Sequence, residues 1–342
     1  MFNWKYPAGI IGVTITGLVV FAMIDEKEYI LPPDPSLFSR PTAEAAEGYD
    51  LLLEFAAGFR IPRDLSYEID KLDHLDIPPR SAELTGQTSD WDHAPEQYWD
   101  ALSHRFKILE EILQFPEIGD RGLSLEETRN LDLSGMQSII QITLFMAKST
   151  DPETAAYATD RLLDLHTVFQ RALPHARTLL QYLVTEGLLD YLRVGLDGLI
   201  VHLEPGQRKA FRNQLLRSPS HVHSLEDAAF ADYAVIAHEF YNMINTNNNL
   251  RRRFFFHKKR TLNTKARFLI AHFESLCDYD IDGLFELHAE VERRLHLRRL
   301  RNLGGVMFVR QFIVNRFLLD GSLDALEGDA RREALLQKLS AD

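Results

Sequence analysis

The stretch "HARTLLQYLVTEGLLDYLRVGLDGLIVHL", His175 to Leu203, decides the fold. It is long and mostly apolar, and its period is that of a helix. Arg177, Glu186, Asp190, Arg193 and Asp197 recur through it. A bilayer-spanning helix excludes charge at that density, because each group would lose its water in hydrocarbon. The stretch is therefore a helix of a folded body, and its neighbours read the same way.

"GMQSIIQITLFMA", ending at Ala147, is apolar nearly all round, as a central core helix is. "DPETAAYATDRLLDLHTVFQRAL" begins with Asp151 as a cap and Pro152 at the first helical position. "PEQYWDALSHRFKILEEILQF" carries Tyr98, Leu102, Phe106, Leu109 and Leu113 on one face. Thr42 caps "AEAAEGYDLLLEFAAG", whose face is Ala45, Tyr49, Leu52, Leu53 and Ala56, with Gly58 at the end. Ser124 to Glu127 matches a capping box. Pro205 opens a shorter helix, and Ser224 is expected to cap "LEDAAFADYAVIAHEFYNMIN". "TKARFLIAHFESLC", "IDGLFELHAEVERRLHLRRL", "GVMFVRQFIVNRFLL" and a separate terminal "DARREALLQKL" complete the set. With 14 Pro and 18 Gly in 342 residues, long stretches run without punctuation, and no β-alternation outlasts a few residues. The body is expected to be all-α, a multi-helix bundle or an irregular helical-hairpin array.

The N-terminus adds a different element. Ala8 to Ile24, "AGIIGVTITGLVVFAMI", is an uncharged run near the lower length limit for a spanning helix. Trp4, Lys5 and Tyr6 precede it and "DEKE", Asp25 to Glu28, follows. Aromatic rings favour the headgroup level and positive residues stay on the cytoplasmic side. The expected organisation is a cytoplasmic tail (1–7), a transmembrane anchor (8–24), a Pro-rich juxtamembrane spacer (25–41) and an extracytoplasmic helical body (42–342). A cleaved signal peptide and a buried core helix are the competing readings; the first wants small residues before the cut, and "VFAMIDEK" offers only Ala22. The lone Cys277 permits no intramolecular disulfide and reads as a small buried hydrophobe.

The Pro-rich "ILPPDPSLF", the "GYDLLLEFAAGF" helix, the Ala/Leu-rich middle and the aromatic-basic "FFFHKKRTLNT" together resemble the layout of bacterial single-pass membrane-anchored α-helical proteins. That resemblance implies a body in the periplasm on the bacterial inner membrane. It implies no activity, cofactor or catalytic residue.

Three segments are candidates for chemistry. In "NNNLRRRFFFHKKRTLNTKARF", Asn247 to Phe268, the cations Arg251, Arg252, Arg253, Lys258, Lys259 and Arg260 flank Phe254 to Phe256. Such a pattern suits phosphates and stacked bases. The net charge of -12 and the extracytoplasmic placement oppose nucleic acid. Residues 25–160 hold 28 Asp and Glu against 11 Lys and Arg, so complementarity within or between chains is one reading and an anionic partner another. Thr261 or Thr264 is expected to cap a helix with Leu262, Ala266, Leu269, Phe273 and Leu276 on its face, which makes the segment a packed hinge.

The histidines are the second candidate: His221 and His223, His238, and the set His288, Glu292 and His296 on what reads as a charged face. A zincin would need a second histidine where Asn242 stands. No metal site and no cofactor is expected. Third, Glu274-Ser275 is similar to the catalytic Glu-Ser of lytic transglycosylases, in which one carboxyl in an apolar cleft acts as general acid. Their Gly-Leu-Met-Gln segment is missing; "DGLFEL" stands too close to Glu274. The acidic "SDWDHAPEQYWD" loop, with Asp90, Trp91, Asp92, Tyr98, Trp99 and Asp100, either lines a sugar groove or starts a helix. The sequence reading is a membrane-anchored scaffold or protein-interaction module, with a protein partner or a second copy; the transglycosylase is the alternative.

Overall fold

The computed structural model describes residues 28–30, 41–59, 94–122, 129–149, 151–246, 258–297 and 316–340. Among them the chain is all-helical, with no strand. The helices are α1 (Ala43–Ala56), α2 (Ala94–Ile112), α3 (Leu133–Ala147), α4 (Pro152–Ala172), α5 (Leu179–Leu199), α6 (Pro205–Arg217), α7 (His221–Thr246), α8 (Lys258–Cys277), α9 (Ile281–Leu297) and α10 (Arg316–Lys338). Residues 8–24, the expected membrane anchor, lie outside the described residues. So do Arg251 to His257, Ser124 to Glu127, and Asp90 to Asp92. No helix among the described residues is long and apolar enough to cross a membrane.

By its internal contacts the chain divides into two compact units. The larger comprises Ser39–Ala228 and Leu323–Asp342; the smaller comprises Ala229–Ser322 with the N-terminal segment. Both α7 and α10 change unit part-way along their length.

In the larger unit α3 is central and packs against α1, α2, α4 and α5. Its sequence explains this position: Met136, Ile139, Ile140, Ile142 and Met146 are buried around its circumference. Each such side chain contributes about 1.5–3 kcal/mol by leaving water. Thr42 Oγ1 accepts from Ala45 N at 3.0 Å and caps α1, and Asp151 does the same for α4 through Thr154 N at 2.9 Å. Glu204 and Gln207 close a reciprocal box at the start of α6. Two arginines stop helices from outside. Arg105 of α2 donates to the Glu54, Phe55 and Ala57 carbonyls at the end of α1. Arg171 of α4 donates to Leu113 and Phe115 at the end of α2. Each satisfies carbonyls that a helix end leaves without partners.

In the smaller unit α8 packs on α9. Leu262, Ala266, Leu269, Phe273 and Leu276 are all buried, as their spacing requires. The cap expected at Thr261 or Thr264 is not the start of this helix, which opens at Lys258. Thr261 is buried inside it, and Thr264 Oγ1 donates back to the Arg260 carbonyl at 2.7 Å. Part of the expected spacer is held here. Asn263 Oδ1 accepts from Ile30 N at 2.7 Å while Asn263 Nδ2 donates to the Glu28 carbonyl at 2.8 Å. The side-chain amide thus reads the backbone of 28–30 as a neighbouring strand would.

Two further expectations change. Ser224 lies one turn inside α7, donating to the Ser220 carbonyl; the first N–H of the helix, His221 N, goes instead to Asp329 Oδ1 of α10 at 3.1 Å. The local cap is Ser220, whose Oγ accepts from His223 N at 3.5 Å, and a tertiary carboxylate adds to it. The terminal helix is not separate either: α10 runs unbroken through Gly321 and Gly328.

Glycine at 135 is enforced by contact. A Cβ there would stand 2.1 Å from the Ala56 carbonyl oxygen, where α1 ends against the first turn of α3. Backbone cannot yield as a side chain can, so Gly135→Ala is expected to lower unfolding free energy by about 1–3 kcal/mol. Urea denaturation reads this directly; a midpoint equal to the parent's would mean that α1 and α3 do not meet in this way.

Candidate functional site

The most concentrated chemistry lies inside the larger unit, around Arg193. Its place on α5 follows from spacing: Leu189, Leu196 and Ile200 occupy the same buried face. The guanidinium is fully buried and each of its nitrogens has a partner. Nε donates to His166 Nε2 of α4 at 3.4 Å, Nη1 to His221 Nε2 at 2.6 Å, and Nη2 to Ser218 Oγ at 3.1 Å. A guanidinium has only donors, so both imidazoles must offer a lone pair at Nε2. His166 therefore carries its proton on Nδ1 and donates to Gln214 Oε1 of α6 at 3.0 Å. His221 presents Nδ1 to Glu186 Oε1 at 3.5 Å. Gln170 Nε2 donates to Ser218 Oγ and to the Gln214 carbonyl.

The surrounding helices seal this network. Tyr182 Oη donates to the His221 carbonyl at 3.0 Å. Asp329 accepts from Ser220 Oγ at 2.9 Å as well as from His221 N. Gly328 of α10 lies over the ring: a Cβ there would stand 2.5 Å from His221 Nδ1 and 3.2 Å from Glu186 Oε1. Arg332 donates to the Ser218 and Pro219 carbonyls.

Burial, and then the neighbouring Arg332, lowers the Arg193 pKa to about 10, so it stays charged at neutral pH. Burial, reinforced by the Arg193 charge, holds His166 well below the ordinary histidine range. The Tyr182 hydroxyl is pushed up by burial and by Glu186. A second polar cluster, Asp120 with Arg129, Gln181 and Tyr49, lies in the same unit. Asp120 Oδ2 accepts from Arg129 N at 2.7 Å and Gln181 Nε2 at 3.0 Å, and Tyr49 Oη donates to the Arg129 carbonyl at 2.7 Å.

The smaller unit has a parallel arrangement. Ser322 Oγ donates to the Leu318 carbonyl at 2.7 Å, so it accepts from His272 Nε2 at 2.8 Å. His272 Nδ1 then accepts from His288 Nε2 at 3.1 Å. The three groups resemble a nucleophile with its base, but the polarity is reversed: the hydroxyl proton is committed to a carbonyl and the imidazole is the donor. Burial, with His288 adding to it, pushes His272 down to about 3. Lys265 is also buried, its Nζ 3.8 Å from Asp232 Oδ2 and 5.9 Å from the Tyr233 ring centroid. Burial lowers its pKa and Asp232 opposes that.

The residues singled out from sequence are scattered. Glu274 is exposed on α8, without the apolar enclosure a general acid needs. Lys258, Lys259 and Arg260 form the first turn of α8; Lys259 lies 5.4 Å from the Tyr29 ring centroid. Arg251, Arg252 and Arg253 lie outside the described residues. His223 and His238 are exposed, whereas His221 is in the Arg193 network. His288, expected on a charged face, is buried against His272. Cys277, expected buried, is exposed at the end of α8. No group of three or more metal-ligating side chains occurs among the described residues. Arg193 and His166 were missed as site residues because charge in an apolar helix reads as hydration. Their alignment with Leu189, Leu196 and Leu162, Phe169 was the available signal.

No protein-family model, curated protein or solved structure matches the chain.

Two outcomes follow from this geometry. Arg193→Met leaves His221 Nε2 without its donor, while His166 Nε2 and Ser218 Oγ keep Gln170 Nε2, and is expected to cost about 1–3 kcal/mol of stability; Arg193→Lys should not restore it, since one ammonium cannot reach three divergent partners. Acid should also destabilise the fold. His166 and His272 are depressed in the folded state, so below about pH 6.5 the unfolded chain binds protons that the folded chain refuses. Stability is thus full above that pH and falls as pH drops through it, by up to about 1.4 kcal/mol per unit for each histidine. Denaturant midpoints from pH 7.5 to 5, with His166→Gln and His272→Gln giving shallower slopes, test this; three identical slopes would refute it.

Proposed function

We propose that the chain is a membrane-anchored helical scaffold, a protein-interaction module held outside the cytoplasm by residues 8–24. The observation that carries this reading is the set of large apolar side chains left in water on α5 and the following turn. Leu180, Val194 and Val201 are 55%, 53% and 69% exposed. Scattered exposed hydrophobes are ordinary, but a set on one helical element suits a partner surface. The polar groups inside each unit support the reading in a second way: Arg193 and His272 hold helices to one another and give a stiff platform. The basic segment beginning at Arg251 is an auxiliary contact for an anionic partner in this account.

Topology tests the reading. In the full chain, a reporter that is active only outside the cytoplasm, fused after Asp342, is expected to be active. The protein should sediment with membranes and resist extraction by high salt. A silent external reporter beside an active cytoplasmic one would reverse the assigned orientation. Release into the soluble fraction would remove the anchor.

A further inference from the structure

We infer that the smaller unit lies against the lipid surface, with the opening turns of α8 near the headgroups, because Asn263 takes hold of the chain within four residues of the membrane anchor. This deepens the reading of residues 8–24 as an anchor, on which it rests, by naming the helix that meets the bilayer.

The clasp fixes where the chain leaves the anchor. The Asn263 carboxamide accepts from Ile30 N at 2.7 Å and donates to the Glu28 carbonyl at 2.8 Å. One planar group bonded at both ends to the same segment sets the direction of that segment as well as its position. Tyr29, between the two bonds, adds contacts of its own. Its ring centroid lies 5.4 Å from Lys259 Nζ, one turn before Asn263 on α8. The Tyr233 hydroxyl of α7 is pushed up by burial and then by Tyr29, which places the two rings near one another. The segment is thus held by two helices of the smaller unit, the unit to which the N-terminal segment belongs.

Chain length then sets the height above the membrane. Four residue steps separate Ile24, the last residue of the apolar run, from Glu28. Fully extended, they span at most about 14 Å. The headgroup layer beside the hydrocarbon is itself about 5–8 Å thick. Glu28 is therefore no more than about 10 Å beyond the headgroups, and any slack in the tether brings it nearer. Lys259 and Asn263, which bind this segment, are carried to the same depth. A spacer free over 25–41 would behave differently. Extended at its Pro-rich composition it would reach about 50 Å, enough to hold the body well clear of the surface.

Charge permits the contact. Asp25, Glu26 and Glu28 against Lys27 give the tether -2, and Lys258, Lys259 and Arg260 give the start of α8 +3. These seven groups sum to +1, and a weakly cationic junction is not repelled by zwitterionic or anionic headgroups.

The full chain reconstituted into phosphatidylcholine vesicles that carry a headgroup nitroxide tests the placement. Cys277→Ser is the background, and a fluorophore sits on Arg267→Cys, an exposed position one turn beyond Asn263. The fluorophore is expected to be quenched. A flexible Gly-Ser insert of about twenty residues spans about 25 Å on average. Placed between Ile24 and Asp25, ahead of the clasp, it is expected to cut the quenching at least twofold. Placed between Ser36 and Leu37, behind the clasp, it should change nothing. Tyr29→Ala with Ile30→Pro removes the ring and the N–H that the clasp uses and leaves α8 unaltered. In that background quenching should fall, and the second insert should lower it further. The inference is overturned if the parent is not quenched, or if both inserts lower quenching alike. It is also overturned if neither insert does, since the unit then meets lipid without the clasp. Flotation reads separately: a chain that floats with the vesicles but fails these tests loses only the placement of α8, and a chain that does not float loses the anchor and the placement together.

Discussion

The larger unit depends on one constraint: a guanidinium taken out of water must find partners for its N–H groups. Arg193 finds them in His166, His221 and Ser218, which come from α4, the start of α7 and the end of α6. Apolar contacts alone would let one helix slide along another at small cost. Three hydrogen bonds diverging from one planar group do not. The Arg193 charge also sets the state of what surrounds it, since each imidazole must present an unprotonated nitrogen. From there the demand passes outward through His166 Nδ1 to Gln214, while Asp329 separately holds the first turn of α7 through His221 N.

Both units use histidine in the same sense, as a neutral connector whose two nitrogens face different helices. In neither does the geometry free a hydroxyl for attack. Ser322 gives its proton to a carbonyl, and Ser218 accepts from both Arg193 and Gln170. These are polar joints within a core, and their hydrogen-bond directions follow from one fixed donor in each case. For Arg193 that donor is the charge itself; for His272 it is the commitment of Ser322 to Leu318.

Much of the helical architecture was legible in the sequence, for local reasons. Thr42, Asp151 and Pro205 act within a few residues of their own positions, so a linear reading suffices. The buried face of α8 follows from spacing alone. What was not legible depends on residues far apart in the chain. Ser224 looks like a cap until Ser220 takes His223 N and Asp329, a hundred residues on, takes His221 N. Gly328 looks like a break until His221 is placed beneath it. Arg193 and His166 look like solvated interruptions unless their alignment with Leu189 and Leu162 is given more weight than their polarity. Two boundaries of the division into units were likewise invisible, because they fall inside α7 and α10, whereas the one between Phe38 and Ser39 lies in the Pro-rich segment.

The clasp at Asn263 has a mechanical consequence. Its amide grips the chain at two points two residues apart, the Glu28 carbonyl and the Ile30 N–H. Tension that arrives at Glu28 is shared between this amide and the covalent path through Ile30. The load enters the interior of α8, five residues past its first turn's start, where Leu262 and Ala266 on either side are buried. Among the described residues, 28–30 are thus tied to a helix more than two hundred residues away in sequence.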